Sequence, residues 1–140
     1  LFQMAGKPAP LRRANHPELG WQKIQITQTN PLFEGLTSNF VTYESHYEEV
    51  GEIPPGAEVF AKTEFCDTQA FQVHGKPIFG IQFHPEYSID EAEESLANKL
   101  KKGERKDWIL NPGKGSKMYD ENVGKAIFGN FFGIASQRTS

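Results

Sequence analysis

"GIQFHPEYS", Gly80 to Ser88, is the stretch whose reading decides the fold. Phe79, Ile81 and Phe83 recur at period two, which predicts a strand with one apolar face. Pro85 has no N–H to offer a ladder, so the strand ends near it. In an extended segment residues i and i+2 emerge on the same side. His84 and Glu86 therefore stand together at a strand end, with Pro85 restraining the backbone between them. A carboxylate beside an imidazole holds its tautomer and stabilises its protonated form. The second ring nitrogen is then free to take a proton from a nucleophile. H-x-E is equally the composition of an ordinary wet strand end, and composition by itself favours that plainer reading.

Outward from this string, "QAFQV" and "PIFGIQFH" flank His74-Gly75-Lys76, which predicts a β-hairpin with a glycine-bearing loop. Earlier segments also read as strands between turns. "GWQKIQIT" closes at Asn30-Pro31, "NFVTYESHYEEV" carries a strand that finishes near His46, and "AEVFAKTEF" follows the Pro54-Pro55-Gly56 turn. Downstream, Ser88 with Glu91 fits a capping box. Ala92, Leu96 and Leu100 then repeat every four residues on one buried helical face. A final helix is expected from Asp120, with Val123, Ile127, Phe131 and Ile134 on one stripe. Gly124, Gly129 and Gly133 weaken that helix intrinsically, so packing must hold it. Strands first and helices last suggest α+β, unless helices precede Leu1.

The bulk properties narrow the classes. At 140 residues, 37% hydrophobic and with eleven Phe, the chain can pack a core as one domain. Its formal charge of −3 gives no reason to expect nucleic acid or an anionic membrane as partner. No apolar run reaches the roughly 20 residues of a transmembrane helix. "LFQMAGKPAPLRR" lacks the order of a signal peptide. A single cysteine excludes an internal disulfide framework, so a cytoplasmic compartment is the expectation. The chain opens on Leu1 rather than Met, and an upstream segment is expected to be missing.

Gly80-Ile81-Gln82-Phe83-His84-Pro85-Glu86 resembles the histidine–glutamate signature of class I glutamine amidotransferases. "LGWQKI" is similar to that family's Gly-Trp strand and "YESHYEEV" to its S-H-containing strand end. "CDTQAFQV" is similar to the strand before its hairpin, and "IFGNFFGI" to its closing helix. Together they span roughly Leu19 to Gly133 in the family's order. The resemblance implies an α/β fold with a flavodoxin-like, mostly parallel amidotransferase sheet and flanking helices. Residues 1–140 would be only the C-terminal portion of that single domain. It implies glutamine amide hydrolysis by a Cys-His-Glu triad, with ammonia passed to an acceptor. His84 would be general base and later acid, and Glu86 its orienter. Ser45, His46, Tyr47 and Glu48 would hold the glutamine α-amino and α-carboxylate groups, Tyr47 and Glu48 mainly through their backbone. No metal or other cofactor is implied. The implied partners are glutamine, the missing N-terminal segment, and a synthetase or acceptor subunit or a second copy. With no synthetase domain after Ser140, the stand-alone, GMP-synthase-like type is expected.

The family's nucleophile occupies a G-x-C-x-G turn, and none occurs here. Cys66 lies in "TEFCDTQAF" without a flanking glycine, so we reject it as nucleophile and expect no glutaminase activity from these residues alone. Two other readings stay open. One is an amidotransferase-like regulatory domain without catalysis. The other is a metal-binding protein using His84 and Glu86, with His46 or His16. The basic segment Lys99–Lys117 reads as a solvated loop that Trp108 pins down, and Glu91, Glu93 and Glu94 as first-turn acids suited to the helix dipole.

Overall fold

The computed structural model describes residues 3–4 and 7–8 as backbone, and residues 11–36 and 39–137 in full. The rest of the N-terminal stretch read for a targeting signal lies outside the described residues. A small antiparallel pair joins β1 (Gln3–Met4) to β2 (Lys7–Pro8). The main sheet is built from β3 (Leu11–Ile26), β4 (Asn39–Val50), β5 (Ala57–Lys62), β6 (Ala70–Val73) and β7 (Phe79–Ile81), in spatial order β4-β3-β5-β6-β7. These neighbours all pair antiparallel. Their connections are too short for the crossovers that parallel pairing needs. A two-residue strand, β8 (Ile109–Leu110), adds a parallel partner to β3 at Leu19 and Gly20. Three helices follow the hairpins: α1 (Ile89–Lys101), α2 (Gly115–Met118) and α3 (Asn122–Ser136). The result is a mixed α/β architecture with helices against a curled sheet.

Local chemistry explains most element ends. Ser88 accepts from the Glu91 N–H while Glu91 reaches back to the Ser88 N–H, so the capping box forms as expected. The hairpin also forms: the Val73 N–H donates to the Ile78 carbonyl, and Gly75 supplies φ +71° in the loop. Asn30 caps a single 3-10 turn, Pro31–Phe33, by accepting from the Leu32 N–H. The long strands depart from expectation. β4 runs on past His46 to Val50, and β3 begins at Leu11, well before Gly20. The two remain paired because a register shift between Arg13 and Glu18 absorbs the intervening residues, Pro17 among them. α3 starts at Asn122, two residues late, because the Asp120 carboxylate caps the Asn122 N–H instead of entering the helix. β7 stops at Ile81, where the chain bends away toward Gln69 and Tyr43.

One continuous core fills the space between sheet and helices. Trp21, Tyr43, Leu19, Leu96 and Ala92 pack between β3, β4 and α1, while Phe33, Phe40, Phe60 and Phe83 form an edge-to-face aromatic group. Leu100 is 40% exposed and leaves the stripe. At Gly20 the backbone sits at φ +136° and an added Cβ would lie 2.1 Å from the Leu110 carbonyl oxygen, so the β8 contact requires glycine.

The α3 glycines divide into two kinds, and this gives a contrast to measure. A Cβ at Gly124 would lie 2.6 Å from the Pro85 carbonyl oxygen, whereas none of the space near Gly129 is occupied. Gly129→Ala should stabilise the protein by about 0.5–1 kcal/mol through helix propensity. Gly124→Ala should destabilise it by about 1–3 kcal/mol by forcing α3 off the 84–86 turn. Urea unfolding midpoints of the two variants should therefore move in opposite directions.

Candidate functional site

After β7 the chain crosses the ends of two other strands. The Gln82 N–H donates to the Gln69 carbonyl and the His84 N–H to the Tyr43 carbonyl, which fixes the backbone on both sides of Phe83. Phe83 is buried in the aromatic group and Pro85 is buried against α3. With its neighbours anchored, His84 projects outward and pairs with Glu86, Nδ1 to Oε1 at 2.7 Å. Their side chains are 34% and 48% exposed, so the pair is open to an incoming group. The Tyr87 ring stacks near-parallel to the imidazole at 5.4 Å, and Tyr87 in turn rests on Tyr43. The carboxylate holds Nδ1–H and leaves Nε2 directed elsewhere, which is the geometry of an oriented general base. Tyr87 was not singled out by sequence reasoning; its only signal was an aromatic three residues beyond the histidine.

The β4 residues from Tyr43 to Glu48 alternate between two environments. Tyr43, Ser45 and Tyr47 face the α1 side, where Tyr43 donates to Ser95 at 2.9 Å and Tyr47 donates to the Glu104 carboxylate. Tyr47 also meets the edge of Trp108. Burial and the adjacent Glu104 push the Tyr47 phenol up to about 12. Glu48 is exposed and pairs across to Arg13.

Glu44 and His46 point the other way, into the interior. His46 is 6% exposed, and Glu18 and Glu44 are fully buried. His46 Nε2 lies 3.0 Å from Glu18 Oε1, directly across the β3–β4 pair, and Nδ1 lies 2.8 Å from the Glu48 carbonyl oxygen. The carbonyl can only accept, and so can the Glu18 carboxylate while ionised, so with Glu18 charged both ring nitrogens donate as an imidazolium. The Glu18 oxygens also accept from Gln22, Thr63 and Gln69. Burial works against its charge, but these bonds, led by that from His46, bring its carboxyl below the usual range. Glu44 differs. Oε2 accepts from Gln69 at 2.7 Å while Oε1 has no partner, and burial raises its carboxyl to about 7, with the Glu18 charge adding to the effect. Two carboxyl groups share one cation, and Glu44 is the one more readily protonated. For His46, burial pulls downward, but the hydrogen bonds and charges of Glu18 and Glu44 outweigh it and raise the ring to about 10.

Cys66 closes this network from the β5–β6 loop. It is 2% exposed, its N–H donates to Thr63, and burial pushes its thiol up to about 12. A neutral, enclosed thiol is a poor nucleophile. Among the described residues, Glu18, His46 and Cys66 are the group of three potential metal ligands that converges, with ligating atoms within 4.8 Å of one another, and neither His84 nor Glu86 joins it. The Glu18 oxygens already accept four hydrogen bonds, leaving no lone pair for a cation. His16 stacks on Phe65 at 3.7 Å and its Nδ1 faces the Pro17 carbonyl. No helix among the described residues is long and apolar enough to cross a membrane.

The family model "Glutamine amidotransferase class-I" matches residues 2–102. One subunit of the glutamine-hydrolyzing GMP synthase of Thermococcus kodakarensis is 38% identical over 79 residues, which cover 56% of this chain and 42% of that protein. A solved structure from Thermoplasma acidophilum, assigned as a GMP synthase subunit, superimposes with a TM-score of 0.63 at 27% identity, covering 94% of this chain and 51% of that one. A glutamine amidotransferase from Thermotoga maritima superimposes at 0.65 and 18% identity, over 88% and 53% of the two chains, and shows the fold. The chain thus spans about half the length of the relatives it matches.

Proposed function

The chain belongs to the class I glutamine amidotransferases, and from that we propose that it supplies the histidine and glutamate of a Cys-His-Glu triad. The observation that carries this reading is the His84–Glu86 pair, held at 2.7 Å on a backbone anchored at Gln69 and Tyr43. A cysteine from a segment outside these residues attacks the glutamine γ-carboxamide. His84 Nε2 takes the thiol proton and returns it to the departing ammonia. Water then attacks the glutamyl thioester, again with His84 as base, and releases glutamate. Glu86 keeps Nδ1 protonated and the ring aimed through both steps.

Ser45, Tyr47 and Glu48 hold the glutamine α-amino and α-carboxylate groups in this reading. The ties of Tyr47 to Glu104 and Trp108 support a backbone role, because they occupy its side chain elsewhere. His46 contributes through the strand it shapes, since its ring is committed to Glu18 and Glu48. The GMP synthase relatives support a separate synthetase chain as the receiver of ammonia, with GMP synthesis as the destination.

The test is glutamate release from glutamine. The complete enzyme should release it, and residues 1–140 alone should not. Within the complete enzyme Cys66→Ala should leave turnover within about twofold of wild type, since the thiol is neutral and enclosed. Glutaminase activity from the 140 residues alone, lost on Cys66→Ala, would overturn the assignment of the nucleophile to another segment. Absence of activity in the complete enzyme would favour a regulatory domain built on the same fold.

A further inference from the structure

The buried charges beneath β4 do more than fill the interior, because they act on the stretch that carries the substrate contacts. Residues 43 to 48 serve two roles at once. The Tyr43 carbonyl receives the His84 N–H, and in the reading proposed above Ser45, Tyr47 and Glu48 hold the glutamine. This stretch lies at the β3–β4 register shift: Glu18 pairs with His46 and Arg13 with Glu48, so β3 residues 14–17 lie opposite Tyr47 alone. A ladder interrupted there does not by itself fix the local conformation. A side chain supplies the missing constraint, since His46 Nδ1 donates to the Glu48 carbonyl two residues on, at 2.8 Å. The imidazole can hold that carbonyl while its other nitrogen is held in turn, and Glu18 Oε1 holds it at 3.0 Å. Glu18 is itself fixed by Gln22, Thr63 and Gln69 from three different places in the fold.

We propose that Glu18 is a positioning residue for glutamine binding: it locks the His46 ring against the Glu48 carbonyl and so sets the backbone of residues 45–48 that receives the substrate. The inference rests on the triad reading above and adds a residue that no family motif assigned to the site. Gln69 bonds both carboxylates at once, and its carbonyl receives the Gln82 N–H, so it couples this network to the segment bearing His84.

The experiment compares wild type with Glu18→Gln in the complete enzyme. The amide keeps the shape but cannot hold an imidazolium, so KM for glutamine should rise at least about tenfold while kcat stays within about threefold. A purely structural role would lower the folded fraction, and with it apparent kcat, at unchanged KM. A folded variant with unchanged KM overturns the proposal. Should Glu18→Gln fail to fold, Thr63→Val, which removes one of the bonds that fix Glu18, should raise KM in the same direction, and a folded Thr63→Val with unchanged KM overturns it. Wild-type enzyme without glutaminase activity would defeat the triad reading before any variant is compared, and this inference with it.

Discussion

His84→Ala should abolish glutamine hydrolysis by the complete enzyme, lowering kcat by at least about a thousandfold. The expectation follows from what the ring is positioned to do. It is 34% exposed, its Nδ1 is occupied by Glu86, and its backbone N–H is anchored on Tyr43, so little besides Nε2 is free to act. In the proposed triad its loss removes the base for the thiol proton and the acid for the leaving ammonia, so both halves of the reaction should stall. Glu86→Gln should be milder, about tenfold to a hundredfold. A half-exposed carboxylate orients the ring, but solvent screens much of its charge, and Tyr87 still braces the imidazole. Steady-state glutamate production at saturating glutamine measures both. Turnover within tenfold of wild type in His84→Ala would refute the assigned role.

How legible this site was in the sequence depends on the range of the interactions that build it. The His84–Glu86 pair, the Ser88–Glu91 capping box and the hairpin at His74–Lys76 all rest on contacts between residues two to five apart. Local pattern therefore reached them. The mixed α/β class followed from the family resemblance that the same segments carry. Glu93 shows where pattern fails. It reads as a first-turn acid favoured by the helix dipole, yet its carboxylate accepts from the Trp21 indole at 2.6 Å and from the Gly113 and Gly115 N–H groups. That one side chain joins β3, α1 and the loop before α2, across separations of 72, 20 and 22 positions. Nothing in the spacing of the first-turn acids distinguishes it from Glu91 or Glu94. The extent of β3 was hidden for a related reason. "LRRANHPELG" has no alternation, because the register shift interrupts the pleat that would have produced it.

The buried network was the least legible feature and has the largest consequence for stability. His46→Leu should destabilise the fold by roughly 3–5 kcal/mol, the expected penalty for leaving a buried charge without its partner. Glu18 and Glu44 would then share the interior with no cation, and Glu18 would lose the strongest of the bonds that keep it ionised. The wild-type pH profile should carry the same signature. The His46 ring ionises at about 10 in the folded protein against 6.5 ordinarily, so its contribution is complete below 6.5 and is lost as pH rises through about 10. The Glu44 carboxyl, raised to about 7 from 4.5, contributes fully below 4.5 and loses its contribution as pH rises through about 7. Glu18 has the opposite sign: lowered from 4.5, it stabilises above that value and loses its contribution as pH falls. Stability should therefore peak near pH 5 and decline toward pH 9, and Glu44→Gln should remove the part of the decline below pH 7. Urea unfolding at pH 5, 7 and 9 measures this, and a flat or rising profile would mean that the interior does not hold an imidazolium between two carboxyl groups.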